Sequence, residues 1–124
     1  AARLRADAMV AGLEPPTARE WSEDLGVAEE ELRPVLAHLE RDGSLVRAPG
    51  DLWFDRGAVD ALREEVRGRL EAEGSLPTAA YKALIGTSRK WAVPLMELFD
   101  AEHLTVRRGE ARVLRRRPRS GRDA

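Results

Sequence analysis

Apolar residues recur at helical spacing over most of this chain. The clearest case lies within residues 28–41, where Leu32, Val35, Leu36 and Leu39 occupy positions i, i+3, i+4 and i+7. This spacing puts the apolar side chains on one face, so each such stretch predicts an amphipathic helix. The helices predicted in this way are residues 3–12, 18–25, 28–41, 56–73 and 88–102.

Short stretches on either side of a turn predict two β-hairpins. The predicted strand pairs are residues 45–48 with 51–54, and residues 105–108 with 111–114. Pro49-Gly50 and Gly109-Glu110 are then two-residue turns, and the second has the glycine that a type II′ turn requires.

The register of the second hairpin sets two arginines opposite each other. Val106 pairs with Val113 on one face, which we expect to cover the core, and Arg107 pairs with Arg112 on the other face. Like charges at directly opposed positions destabilise a sheet. The pair is easier to understand if an anion lies between the two guanidinium groups.

The second half of the chain repeats the first. A shift of sixty residues aligns Gly26 with Gly86 and Pro34 with Pro94. It also aligns Trp21 with Tyr81, Leu25 with Ile85, Val35 with Leu95, Leu36 with Met96, Leu39 with Phe99, Val46 with Val106 and Arg47 with Arg107. Each unit reads as helix, short helix, turn, longer helix and hairpin, which is the order of the winged-helix variant of helix-turn-helix.

We therefore predict a mainly α protein with small β-hairpins (α+β), built as two tandem winged-helix domains that share a connecting helix. The first unit spans residues 1–58, the second spans residues 59–117, and residues 118–124 form a disordered basic tail. The shared helix predicts a fairly rigid tandem.

The net charge of −1 conceals a strong asymmetry between the two ends. Residues 1–74 hold 10 Lys and Arg against 17 Asp and Glu, a net charge of −7, whereas residues 86–124 hold 10 against 5, a net charge of +5. The basic part predicts a polyanionic partner for that part alone. The sequence has no cysteine, which fits a reducing compartment, and no apolar run of membrane-spanning length. Because it begins with Ala1 rather than Met, we expect a fragment of a longer protein.

The two copies differ most at the start of their third helix. The first has Glu29-Glu30-Glu31, whereas the second has Arg89 and Lys90. Carboxylates suit the positive end of the helix dipole and repel phosphate, whereas cations there weaken the helix unless an anion binds. We interpret the first copy as a spacer or protein-facing module and the second as a nucleic-acid-binding module.

The candidate binding residues surround that helix start and the second hairpin. They are Thr87, Ser88, Arg89, Lys90, Arg107, Arg108, Gly109, Arg112 and Arg115. Thr87 or Ser88 is expected to cap the helix, and Pro94 to bend or tighten its first turns. Each cluster alone also fits a solvated surface: Arg107 and Arg112 could turn into water or pair with Glu110. Their conjunction in one copy favours nucleic-acid binding.

Constellations typical of enzymes are missing from the sequence. There is no phosphate-binding glycine loop, no cysteine nucleophile and no acid/base pair that stands out from the acidic helix faces. His38 and His103 lack metal-ligand spacing. We therefore predict no catalytic residues, no cofactor and no metal. The aromatic residues Trp21, Trp53, Tyr81 and Trp91 are expected in the core rather than as base-stacking platforms.

Residues 86–100, followed by residues 105–114, resemble the last domain of SelB, the family of bacterial selenocysteine-specific translation elongation factors. The similarity consists of a turn ending in Ser-Arg-Lys, an aromatic residue, a helix with an internal proline, and a Thr-x-Arg-x-Gly hairpin. Trp91 replaces the usual Tyr, Met96 replaces a Leu and Glu110 replaces an Asp.

The resemblance implies that the parent protein is a cytoplasmic GTPase that carries selenocysteinyl-tRNA and meets the ribosome. This chain would be the last two winged helices of its C-terminal extension, monomeric as a fragment, and would bind the hairpin of the selenocysteine insertion element (SECIS) in mRNA. By analogy, the RNA loop meets the start of the 88–102 helix and the second hairpin through its backbone and one or two splayed bases. A winged-helix regulator of duplex DNA and a protein-interaction module are the alternatives.

Overall fold

The helices and hairpins follow one another in the predicted order in the computed structural model, which describes residues 1–115. The elements are α1 (Ala2–Ala11), α2 (Ala18–Leu25), α3 (Glu29–Arg41), β1 (Leu45–Ala48), β2 (Leu52–Asp55), α4 (Arg56–Glu73), β3 (Leu76–Pro77), α5 (Thr78–Ile85), α6 (Arg89–Ala101), β4 (Thr105–Arg108) and β5 (Ala111–Leu114). The predicted class, mainly α with two tandem winged helices, is confirmed. The predicted tail at 118–124 lies outside the described residues.

The second, short helix of each unit begins and ends on local sequence signals. Thr17 and Glu20 form a capping box at α2, where the Thr17 Oγ1 accepts from the Glu20 amide at 3.2 Å and the Thr17 amide donates to the Glu20 carboxylate at 2.9 Å. Gly26 ends α2 with φ 67°, and its counterpart Gly86 ends α5 with φ 78°. Glycine enters this left-handed region without steric penalty, which explains why both copies have it there.

The first hairpin lies between two hydrophobic cores. Strand alternation directs Leu45 and Trp53 into the core of the first unit, with side chains of α1, α2 and α3. The opposite face of the same hairpin enters the second core, with side chains of α4, α5 and α6; its residues are Val46, Ala48, Leu52 and Phe54. The two cores thus lie on opposite faces of one hairpin, and the rigidity of the tandem stays a prediction. The division predicted between residues 58 and 59 falls within α4 and stays a prediction.

The turn of the first hairpin differs from the prediction. The loop has three residues rather than two, and β2 begins at Leu52, so Asp51 is not a strand residue. Asp51 has φ 62° and accepts hydrogen bonds at 3.1 and 2.7 Å from the guanidinium of Arg33. This ion pair lowers the pKa of Asp51 and holds the residue in a conformation that aspartate adopts more readily than most.

The second hairpin has the predicted register and one additional strand. Arg107 pairs with Arg112, as predicted, and β3 joins the sheet in the order β3-β5-β4. Thr78 fixes the turn, because its amide and its hydroxyl both donate to the Glu110 carbonyl at 2.9 Å. In the part of the chain described, no helix is both long and apolar enough to cross a membrane.

Candidate nucleic-acid interface

The first turn of α6 carries two exposed cations. Ser88 is the N-cap residue, but its side chain makes no capping hydrogen bond, and Thr87 instead donates to the Ser88 carbonyl at 3.2 Å. The capping bond predicted for either residue is therefore not made. The first amides of α6, together with Arg89 and Lys90, form a site with the chemistry that binds an anion.

Lys90 is paired with the first unit. Its ammonium lies 3.2 and 3.3 Å from the two carboxylate oxygens of Glu20 and 5.1 Å from the centre of the Trp91 ring. The pKa of Glu20 is lowered, first by its bond to the Thr17 amide and then by Lys90. The first unit thus supplies the carboxylate that neutralises Lys90 in this structure.

The start of α6 is anchored to the first unit. The Trp91 indole donates to the Pro15 carbonyl at 2.7 Å while its ring packs against the second core. Pro94 is buried and approaches Gly50 so closely that a Cβ there would lie 3.8 Å from its ring. Trp91 is a core aromatic, as predicted, but its hydrogen bond also fixes where the cationic turn lies.

Arg112 is in the core, which corrects the prediction of its orientation. Its side chain is only 9% exposed, and its guanidinium donates to the Asp100 carboxylate at 2.8 Å. Thr105 donates to the same carboxylate at 2.6 Å, and Arg112 lies over the Tyr81 ring at 6.0 Å. Asp100, near the end of α6, is the counter-charge of Arg112 alone, because Arg107 has no acidic partner among residues 1–115.

Because Arg112 faces the core, Val106 and Val113 do not. Both valines are half-buried on the outer face of the hairpin, contrary to the expectation that they cover the core. Arg107 extends from the tip of the hairpin, where its Nε donates to the Gly109 carbonyl at 3.2 Å. Gly109 has φ 59°, as the first central residue of a type II′ turn requires.

Four of the candidate arginines keep their charge uncompensated. Among the ion pairs within residues 1–115, none involves Arg89, Arg107, Arg108 or Arg115. All four are exposed. Neither Glu20 nor Asp100 was predicted as a partner, and the acid considered for the opposed arginines was Glu110.

The fold and this site define a class: a tandem winged-helix protein whose second unit presents cations at the start of its third helix and on its hairpin. Comparison with known proteins gives the family that this chain resembles. The family model described as "Elongation factor SelB, winged helix" matches residues 69–114. This part of the chain is therefore similar to a winged-helix domain of elongation factor SelB, as its sequence motifs indicated.

Two selenocysteine-specific elongation factors are similar over most of this chain. The protein from Desulfomicrobium baculatum is 28% identical over 107 residues, which are 86% of this chain and 17% of that protein. The protein from Escherichia coli (strain K12) is 26% identical over 104 residues, which are 84% of this chain and 17% of that protein. The chain thus spans about a sixth of the length of the curated relatives it matches.

A solved structure extends the similarity to three dimensions. It is the mRNA-binding domain of elongation factor SelB from E. coli in complex with SECIS RNA. The two structures agree with a TM-score of 0.75 at 26% sequence identity, over 85% of this chain and 87% of that chain. The similarity covers both winged-helix units rather than the motif region alone.

Proposed function

We propose that this chain binds the SECIS hairpin of an mRNA through its second winged-helix unit. The observation that carries the proposal is its similarity, over 85% of its length, to an E. coli domain whose structure contains SECIS RNA. The charge distribution agrees, because the exposed, uncompensated cations of the candidate site lie on that unit.

We assign the loop of the RNA hairpin to two protein elements, which are the start of α6 and the tip of the second β-hairpin. Arg89 and Lys90, with the free amides beside Thr87 and Ser88, would receive a phosphate. Arg107 and the exposed backbone at Gly109 would contact the RNA loop from the tip of the second β-hairpin. Arg112 would position the second β-hairpin rather than contact RNA, because its guanidinium is hydrogen-bonded to Asp100. Arg108 and Arg115 lie on a different face of the hairpin.

We infer that the chain belongs to a longer selenocysteine-specific elongation factor of the cytoplasm. In that protein the GTP-binding, tRNA-binding and ribosome-binding parts would lie outside this sequence, and this segment would supply mRNA binding rather than catalysis. A bound RNA hairpin would hold the elongation factor beside the codon at which it acts.

A titration with two RNA hairpins tests the proposed function. The ligands are the SECIS hairpin from the genome that encodes this chain and a control whose loop nucleotides are scrambled on the same stem. We expect the cognate loop to bind at least tenfold more tightly at the same salt concentration, because phosphate attraction is common to both RNAs. Equal affinity for both, or tighter binding of a matched DNA duplex, would contradict specific hairpin binding.

Removing the charge of Glu20 should strengthen RNA binding. Glu20→Gln keeps a side chain that can complete the capping box with Thr17, but it no longer neutralises Lys90. Because exposed ion pairs contribute at most about 1 kcal/mol, we expect the affinity for the hairpin to rise about two- to fivefold. Fluorescence anisotropy measures this directly.

Glu23→Gln provides the control for that experiment. Glu23 is another exposed glutamate of α2, and its partner is Arg19 rather than Lys90. It removes the same charge from the same helix, so a comparable gain in both variants would indicate a general field effect. No gain with Glu20→Gln would indicate that Lys90 does not reach the RNA.

A further inference from the structure

The outer face of the second hairpin carries cations that the loop site does not use. Side chains alternate along a strand, so Arg107 and Arg108 point to opposite faces. Arg108 shares its face with Val106, Val113 and Arg115, and these residues line one side of a surface groove of about 760 Å³. The other side is formed by the end of α4, from Leu70 to Gly74.

The corresponding face of the first hairpin is covered by protein. Its side chains are buried in the second core and are Val46, Ala48, Leu52 and Phe54. By the sixty-residue shift, Val106 takes the place of Val46 and Arg108 takes the place of Ala48. In the first copy, this face of the β-hairpin packs against the second unit. The equivalent face of the second β-hairpin is only half-buried, and an arginine replaces an alanine there.

A second groove extends this cationic surface. It has a volume of about 340 Å³, shares Leu114 and Arg115 with the first, and also contains Arg67 and His103. Arg63 pairs with Glu102 at 2.9 Å and Arg67 pairs with Glu64 at 3.7 Å, which leaves Arg115 as the exposed cation of this groove without an acidic partner among residues 1–115. The acid beside Arg108 and Arg115 in the larger groove is Glu71. Cations therefore exceed acids on this surface.

The spacing of the two outer arginines favours an extended anion. Arg108 is opposite Ala111, and Arg115 follows four residues later along the chain. At a rise of about 3.4 Å per residue their backbones are roughly 14 Å apart, so side chains that extend straight out from the sheet reach different phosphates. Separate phosphates of a nucleic-acid strand fit this spacing, with Val106 and Val113 beneath the riboses.

We propose that this outer face, defined by Val106, Arg108, Val113 and Arg115 with Arg67 beside it, binds the phosphate backbone of the RNA stem that continues from the loop. The inference rests on the proposed function, because the stem comes from the same hairpin. The tip of the second β-hairpin then separates two RNA-binding surfaces: Arg107 contacts the RNA loop and Arg108 contacts the RNA stem. Contacts of this kind add affinity without reading sequence, since paired RNA is recognised by shape and phosphate positions.

A stem-length comparison with a double variant tests this inference. Arg108→Gln/Arg115→Gln is titrated with the cognate hairpin on its full stem and with the same loop on a shortened stem. We expect the variant to bind the full-stem hairpin about tenfold more weakly, with a salt slope lower by about 1 to 2, because two phosphate contacts are lost. We expect less than a twofold change for the short-stem hairpin and unchanged discrimination against the scrambled loop.

A matched variant controls for net charge. Arg3→Gln/Arg41→Gln removes two exposed charges from the first unit and should leave both affinities within twofold. If Arg108→Gln/Arg115→Gln weakens both hairpins alike, or neither, the stem assignment is overturned while loop recognition stands. If instead it abolishes binding of a separate RNA duplex and spares the full-stem hairpin, the surface takes another RNA. A scrambled loop that binds as well as the cognate loop contradicts the proposed function itself.

Discussion

Replacing Arg89 with glutamate is expected to lower the affinity for the SECIS hairpin by more than tenfold. Arg89 lies in the first turn of α6, exposed and without an acidic partner among residues 1–115. The substitution removes a cation from the proposed phosphate site and adds a charge that repels phosphate. Anisotropy titrations at two salt concentrations should also show a lower salt slope for the variant.

The same substitution has the opposite effect on the helix, which makes the experiment interpretable. A carboxylate near a helix N-terminus is stabilising, whereas a cation is unfavourable. We therefore expect thermal stability, followed by circular dichroism, to stay the same or rise slightly while RNA binding is lost. Unfolding cannot then account for the loss of affinity.

Arg3→Glu is the matched control for Arg89→Glu. Arg3 is exposed in the first turn of α1, where it pairs with Asp7 at 3.4 Å, so the control makes the same charge change near the N-terminus of a helix in the first unit. We expect its affinity for the hairpin to stay within about twofold of the original, because the field of a distant charge is screened by salt. Equal losses of affinity in the two variants, or an unchanged affinity with Arg89→Glu, would contradict the placement of α6 at the RNA interface.

Helix positions could be predicted closely from sequence because their signals are local. The predicted helices at 18–25 and 56–73 agree with α2 and α4 at both ends, since Thr17, Gly26 and Gly74 mark those ends directly. The register of the second hairpin was also predictable, because a two-residue turn fixes which residues oppose each other.

The inward face of the second hairpin could not be predicted in the same way. Register determines that Arg107 opposes Arg112, but not which face meets the core. Apolarity favoured Val106 and Val113, yet the core accepts Arg112 because Asp100 neutralises it. The acid lies on a different element, so nothing within the hairpin sequence distinguishes the two faces.

The candidate site was predictable as a set of charges but not as a set of contacts. Arg89 is exposed as expected, whereas the pairing of Lys90 with Glu20 joins residues 70 positions apart. Similarly, the positive φ of Asp51 depends on its ion pair with Arg33 of α3. Contacts of this kind arise from tertiary packing, which a charge pattern alone does not determine.

Replacing Asp100 with asparagine is expected to lower the free energy of unfolding by about 3 kcal/mol, because it leaves the buried guanidinium of Arg112 without a counter-charge. The asparagine oxygen can still accept from Thr105, so the loss measures the charge pair rather than that hydrogen bond. Urea denaturation followed by circular dichroism gives the value.

Two companion variants separate a buried ion pair from an ordinary surface one. Glu73→Gln breaks the exposed pair with Arg69 and should reduce stability by no more than about 0.5 kcal/mol. Asp100→Asn/Arg112→Met removes the stranded cation as well, and it should recover a large part of the stability lost in Asp100→Asn. If Asp100→Asn is no more harmful than Glu73→Gln, or if the added Arg112→Met lowers stability further, then Asp100 does not hold the hairpin against α6. In that case the arrangement of α6 and the second β-hairpin, the two elements proposed to contact RNA, depends on the apolar contacts of α6.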